Sequence, residues 1–258
     1  MKMSASYTPH NQKIVDQFTR WAKPFAELPI HAESDSLREV IAACAATEGM
    51  TVLDVACGPG IVACALAQRG ARVTAIDLTP AMIEQAKSRS ATNGVAVTFQ
   101  VGDARNLPFQ TGIFDRVVTR YSFHHMEDPG EVLAEMIRVC RPGGRLIVVD
   151  ATPAAEAQAG YDQAEKLRDP SHTSALTLSQ LLSLGHEAGL SHVLTTQYRL
   201  ESRLEDQVAP EDWSALKTMF LEDIASEQDR LGMGAWQAED GIRFHFPISI
   251  VVWTKPEN

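Results

Sequence analysis

Three apolar runs close on an acid: "TVLDVACGPG", "RVTAID" and "AVTFQVGDA" carry Asp54, Asp77 and Asp103. If such runs are parallel strands, their carboxyl ends share one sheet edge, which is where open α/β folds bind ligands. A carboxylate there can accept two ribose hydroxyls, which suits Asp77, or an adenine amino group, which suits Asp103. Gly58 and Gly60 let the backbone turn sharply and come close to a bound molecule. Each acid alone also reads as a helix N-cap or a surface charge. Three in register point to a nucleoside-containing ligand.

A second group could move protons. "TRYSFHHMED" offers Tyr121, His124 and His125, and "KLRDPSHTSALT" offers Arg168, Asp169 and His172. Histidine titrates near neutrality and can remove a proton from an acceptor. The packing alternatives are that the imidazoles cap or pack the following loop, and that Asp169 or Ser171 caps a helix. Adjacent histidines diverge and no third ligand accompanies them, so no metal site is expected.

The elements that must place these residues follow from periodicity. "TVLDVA", "RVTAID", "AVTFQVG", "FDRVVTR" and "GRLIVVD" read as strands, being β-branched and bounded by turn residues. Between them, "GIVACALAQRG", "TPAMIEQAKSRSATNG" and "DPGEVLAEMIRVCRPGG" have helical spacing. Thr79 and Pro80 open the second, Asp128 and Pro129 open the third, and "RPGG" stops it. Such alternation implies right-handed crossovers and a parallel sheet covered on both faces, a doubly wound α/β fold. Residues 10–48 read as two helices broken at Pro24 and Pro29, with Phe18, Trp21 and Phe25 on one face as a lid or as ordinary core. Residues 154–189 read as helical, broken at Pro170, followed by a strand at "HVLTTQYRL", a solvated acidic helix near 210–230 and a closing strand "IRFHFPISIVVW".

Two ligand classes compete for the strand edge. A dinucleotide site would show GxGxxG with amides facing a pyrophosphate. Here Pro59 removes one amide donor, and Asp54 would set a negative charge beside a diphosphate. An acid there better suits a cationic ligand carrying an amino group and a sulfonium, which favours S-adenosylmethionine over NAD. The four cysteines, Cys44, Cys57, Cys64 and Cys140, form no CxxC pair and sit among apolar neighbours, so they read as packing residues. Lys and Arg number 23 against 33 Asp and Glu, a formal charge of −10, which argues against a nucleic-acid partner. No run has signal-peptide or membrane-spanning length, so no membrane insertion is expected and the protein reads as cytoplasmic.

At these residues the sequence resembles the class I S-adenosylmethionine-dependent methyltransferases. "VLDVACGPG" is similar to their first motif, "AIDLTPAMIEQAK" to the post-first motif and "VGDARNLPF" to the adenine-side segment. The stretch from "FDRVVTRYSFHH" to "RLIVVD" is similar to their fourth motif and the segment C-terminal to it. "VDQFTRWAKPFAE" and the "RDPSH" segment resemble the UbiE-like branch, which acts on quinones and other small molecules. Ala56 stands where many members carry glycine.

The resemblance implies a Rossmann-like domain over residues 1–258, with an N-terminal helical lid at 10–48 and a cofactor-binding core at 49–151. A helical cap at 152–190 and 205–235, inserted after strand 5, would cover the acceptor pocket. It implies that Asp54 holds the methionine amino group, that Ala56, Gly58 and Gly60 approach the cofactor, and that Asp77 takes the ribose. Leu78 and Met82 would lie against sugar and adenine, Asp103 and Ala104 would read the adenine edge, and Arg120 would offer its carbonyl. The expected chemistry is O- or C-methylation of a small-molecule acceptor, yielding S-adenosylhomocysteine, with Tyr121, His124, His125 and His172 as catalytic candidates. A non-catalytic S-adenosylmethionine-binding module and an NAD-dependent oxidoreductase are the alternatives. The helix near 210–230 would roof the pocket or join a homodimer.

Overall fold

The computed structural model describes residues 7–27, 34–208 and 213–257. Helices α1 (Pro9–Glu27) and α2 (Ser34–Cys44) lead into the alternating core. The core runs β1 (Thr51–Val55), α3 (Ile61–Ala67), β2 (Arg72–Asp77), α4 (Pro80–Thr92), β3 (Val97–Val101), β4 (Phe114–Arg120), α5 (Pro129–Val139) and β5 (Cys140–Ala151). Then come α6 (Gln158–Arg168), α7 (Leu178–Glu187), β6 (Ser191–Arg203), α8 (Trp213–Ser226), β7 (Trp236–Ala238) and β8 (Gly241–Thr254). The eight strands form one sheet in the order β3-β2-β1-β4-β5-β8-β6, with β7 paired to β8. The first five strands pair in parallel; β8 is antiparallel to both of its long neighbours.

Alternation along each strand divides the core between the two faces. Val52, Ala75, Val118, Ile147 and Val252 pack one face, and Leu53, Ile76, Val117, Leu146 and Trp253 the other. β1 is buried at four of its five positions, as a central parallel strand must be. Helix starts follow local chemistry. Asp128 accepts from the amides of Gly130 and Glu131 to open α5, and Thr177 with Gln180 forms a reciprocal capping box on α7.

Four expectations are corrected. α1 runs unbroken through Pro24, and Pro29 lies outside the described residues. "RPGG" does end α5, but it belongs to β5 as a bulge: the register steps from Phe114↔Cys140 to Arg116↔Arg145. α7 is no cap; it packs on the sheet, and its Gly185 lies so close to Trp253 that a Cβ would be 2.4 Å from Cε2 of the ring. α8 is not merely solvated. Leu216 and Phe220 are buried, and Phe220 meets Phe244 edge-on with ring centroids 5.2 Å apart. Pro170 does separate α6 from α7, as expected.

Candidate active site

β1 lies between β2 and β4, so the strand order reverses there and opens a crevice at the carboxyl ends. A chamber of about 1100 Å³ fills it. Asp54, Ala56, Gly58, Asp77, Leu78, Met82, Asp103, Ala104 and Arg120 all line it, nine of the ten residues that the resemblance assigns to the cofactor. Gly60 is the exception. It sits at φ 76° ahead of α3, and a Cβ there would lie 2.9 Å from Cβ of Ala86. Its role is to seat α3 against α4. Gly60→Ala is therefore expected to cost about 2 kcal/mol, from overpacking plus the left-handed backbone, read as a lowered Tm. Ala56 also adopts a left-handed conformation, φ 53°, which accounts for the glycine other members carry.

The three acids have different surroundings. Asp54 is buried and its Oδ2 has no hydrogen-bond partner. Burial pushes its carboxyl up to about 7, with Asp77 adding to the effect. Asp77 accepts from the Gly58 amide at 2.8 Å and the Thr79 amide at 2.8 Å, tying the β1 loop to the start of α4. Burial raises its pKa too, although those amides oppose the rise. Asp103 is engaged at both oxygens. Oδ1 accepts from the Arg105 amide and Nε, and Oδ2 from Arg105 Nη2 and Asn11 Nδ2. Burial would raise Asp103, but Arg105 outweighs it and holds the carboxyl below the usual range. Asp103 is thus a latch for α1.

α1 closes this chamber from outside the sheet. His10, Asn11, Ile14 and Phe18 all face into it, and His10 Nε2 lies 2.7 Å from the carbonyl oxygen of His125. Of the three aromatic residues expected to form a lid or ordinary core, Phe18 lines the chamber. Trp21 is half-buried and lines neither chamber, and the Phe25 side chain lies outside the described residues. His10, Asn11 and Ile14 carry no mark of this place in the sequence, because only the folded chain brings α1 across the sheet edge.

A second chamber, of about 560 Å³, adjoins the first through Phe18, Tyr121 and His125, which line both. His124 is set in its wall. Its Nδ1 lies 2.5 Å from Asp150 Oδ1, and the other oxygen of Asp150 takes the amides of Phe123 and His124. Burial opposes charge on His124, but Asp150 outweighs it and holds the imidazole above its ordinary pKa. Its Nε2 has no protein partner among the described residues. Asp150 lies one residue before the end of β5, as Asp54 does in β1, so the strand-end rule that singles out Asp54 and Asp77 applies equally to it.

The other candidates take different roles. The His125 ring contacts Phe18 edge-on, and its Nδ1 lies 3.1 Å from Ser171 Oγ, which donates to Asp169. Burial, with His124 alongside, pushes His125 down to about 3, so it stays neutral. Tyr121 holds φ 57°, and its hydroxyl lies 2.8 Å from that of Tyr198. His172 reaches neither chamber. It is paired at 2.8 Å with Asp162 and fastens the 169–177 loop to α6, so its expected place over an acceptor is corrected. Asp169 takes the amide and hydroxyl of Ser171 in a turn, and α7 is capped by Thr177 instead. Among the described residues no group of three or more His, Cys, Asp or Glu is placed to hold a metal. All four cysteines are free and buried, and burial pushes Cys44 up to about 12.

Residues 53–148 match the family model described as a methyltransferase domain. A ubiquinone biosynthesis O-methyltransferase of Xanthomonas axonopodis pv. citri (strain 306) is 34% identical over 157 residues, 58% of this chain and 66% of that protein. The match therefore spans just under two thirds of that relative's length. Among solved structures, the YcgJ protein from Bacillus subtilis superimposes with a TM-score of 0.78 at 25% identity, over 87% of this chain and 99% of that one. A geranyl diphosphate methyltransferase in complex with GPP and sinefungin has the same fold, with a TM-score of 0.71 at 16% identity over 97% of this chain and all of that one. Residues 53–148 belong to the methyltransferase-domain family, and the fold around them is that of the class I S-adenosylmethionine-dependent methyltransferases. That membership leaves the nicotinamide reading without support. No helix among the described residues is long and apolar enough to cross a membrane.

Proposed function

We propose that the protein methylates a hydroxyl oxygen of a small molecule seated in the smaller chamber, with S-adenosylmethionine in the larger one. The observation that carries this reading is the pairing of the chambers across Phe18, Tyr121 and His125, with the His124–Asp150 pair beyond that wall. When bound, S-adenosylmethionine supplies a methyl carbon whose sulfur leaves as a neutral thioether, keeping the bonding pair. The chain's work is alignment, exclusion of water and removal of the acceptor's proton.

The residues fit that donor. The unpartnered, buried Oδ2 of Asp54 suits the cationic amino group, and the left-handed 56–60 turn brings backbone close to the ligand. Asp77 lines the chamber, where ribose hydroxyls can donate to the lone pairs its two amide bonds leave over. With Asp103 engaged by Arg105 and Asn11, recognition of the adenine edge falls to backbone at Ala104. On the acceptor side, Asp150 orients His124 so that Nε2 can take the hydroxyl proton. The O-methyltransferase among the relatives supports oxygen as the methylated atom.

The decisive experiment is transfer of labelled methyl to a panel of catechols and their O-blocked analogues. Transfer to the free hydroxyls alone is expected; equal transfer to the blocked compounds overturns the oxygen assignment, and tight binding without transfer to any acceptor supports a non-catalytic module.

Asp54 gives a further test. Its raised pKa means that its stabilising contribution is present below the ordinary 3.8 and lost as pH rises through about 7. A cationic amino group bound beside it reverses that preference. Binding of S-adenosylhomocysteine near pH 6.5 is thus expected to release about half a proton or more from this carboxyl. Calorimetry in buffers of different ionisation enthalpy reads the release, and Asp54→Asn should abolish it.

A further inference from the structure

Among the described residues that line the smaller chamber, Arg168 is the permanent cation, and the chain has already neutralised it. Arg168 donates from Nε to Glu165 Oε1 at 2.9 Å and from Nη2 to Glu165 Oε2 at 2.6 Å, a two-pronged pair in which Glu165 is almost wholly buried. Its guanidinium carbon lies 5.7 Å from the centre of the Phe246 ring, which holds the plane of the fork against the wall. Asp169, also lining the chamber, adds a second carboxylate to the same neighbourhood, and Asp150 adds a third beside His124. With His124 neutral, as a base must be, the lining groups sum formally to −2; with His124 protonated they sum to −1. The rest of the wall is largely apolar or aromatic: Phe18, Leu200, Phe246 and Ile248.

The geometry points to an electrically neutral, single-ring hydroxylated acceptor, with Glu165 as the residue that sets this specificity by cancelling the charge of Arg168 and leaving the wall net negative. The inference rests on the reading of the smaller chamber as the acceptor site. The aromatic and aliphatic side chains of this wall suit the faces of one substituted ring. A carboxylate or phosphate on that ring would lose its water beside a wall of net negative charge. Glu165 takes the Nε–Nη2 edge of the lining guanidinium and cancels its charge, so Arg168 offers such a group no net attraction. Neutral hydroxyl or carbonyl substituents meet no such barrier. Tyr161 and Gln207 supply polar groups to the same wall, and Gln207 Nε2 is buried without a hydrogen-bond partner.

A matched pair of probes tests this. Methyl 3,4-dihydroxybenzoate and 3,4-dihydroxybenzoate differ in one charge and share the catechol. Affinity for each is measured by calorimetry on the S-adenosylhomocysteine-loaded protein, and labelled-methyl transfer is measured separately. The ester is expected to bind at least about tenfold more tightly than the acid, and Glu165→Gln to narrow or reverse that ratio by freeing Arg168. Equal or tighter binding of the acid by the unaltered protein overturns the inference, as does failure of both probes to bind. If Glu165→Gln does not fold, the wild-type ratio alone decides. Preferential binding of the ester without methyl transfer would uphold the charge selection and overturn the methylation reading, so the two failures are distinguishable.

Discussion

Replacing His124 by alanine is expected to lower kcat by about 10²–10⁴-fold while leaving affinity for S-adenosylhomocysteine within about twofold of wild type. The split follows from position. His124 lines the smaller chamber and not the larger one, so its loss removes proton transfer without touching the donor site. The pH profile carries the sharper signature. The imidazole faces Asp150 at 2.5 Å, the neutral His125, and Glu165 and Arg168 of α6. Burial disfavours its charge, but Asp150 prevails, so His124 holds its proton above the ordinary 6.5. The base form is therefore rarer at a given pH than for an ordinary imidazole, and kcat/KM should climb about tenfold per pH unit below that raised pKa and level off above it. The same shift means that the stability contributed by the pair is present below 6.5 and lost as pH rises through the raised value. Asp150→Asn should move the ascending limb of the rate profile to lower pH and reduce its plateau. A merely structural Asp150 would lower Tm and leave the limb in place. An unchanged kcat in His124→Ala would transfer the base to another group and end the present assignment.

Asp77→Asn is expected to weaken S-adenosylhomocysteine binding by about 100-fold or more, near 3 kcal/mol, with little change in the Tm of the ligand-free protein. The two effects separate because Asp77 is costly to the empty fold. Burial raises its pKa, so its contribution to stability is present below the ordinary 3.8 and lost at higher pH, where the buried charge is partly offset by the Gly58 and Thr79 amides. Asparagine removes that charge and can still accept one amide. The other amide then faces an NH₂ group, which disturbs the β1 loop and removes an acceptor for ribose hydroxyls. Calorimetry beside thermal unfolding measures both quantities. Wild-type affinity in Asp77→Asn would remove Asp77 from the donor site.

Much of this architecture is legible before folding. The acids at the ends of β1 and β2 can be found because a parallel strand's last residue and a sheet's ligand edge coincide, a local rule needing no tertiary information. The alternation of β-branched runs with helical spacing identifies the doubly wound sheet for the same reason. The sequence also misleads at identifiable points. Gly60 reads as a ligand contact because φ freedom and close approach look alike in sequence, and only the 2.9 Å approach to Ala86 shows that helix packing demands it. Asp103 keeps its place at the rim but spends both oxygens on Arg105 and Asn11, the latter 92 positions away. His172 and His124 read as equal candidates, since a histidine beside an aspartate-containing turn has no local mark of its partner. Asp162 claims one and Asp150 orients the other.

By itself, then, the sequence determined the fold class, and it pointed to one strand edge and to a cationic nucleoside ligand there, because all three readings depend on residues close in the chain. Only the tertiary structure decided which histidine of the second chamber is oriented by a carboxylate, what covers the first, and that the guanidinium in the second chamber's wall is already paired. Those answers depend on α1, α6 and the β6–β8 arm arriving at one place from widely separated positions. Side-chain pairing across such distances is set by packing, and no local pattern records it.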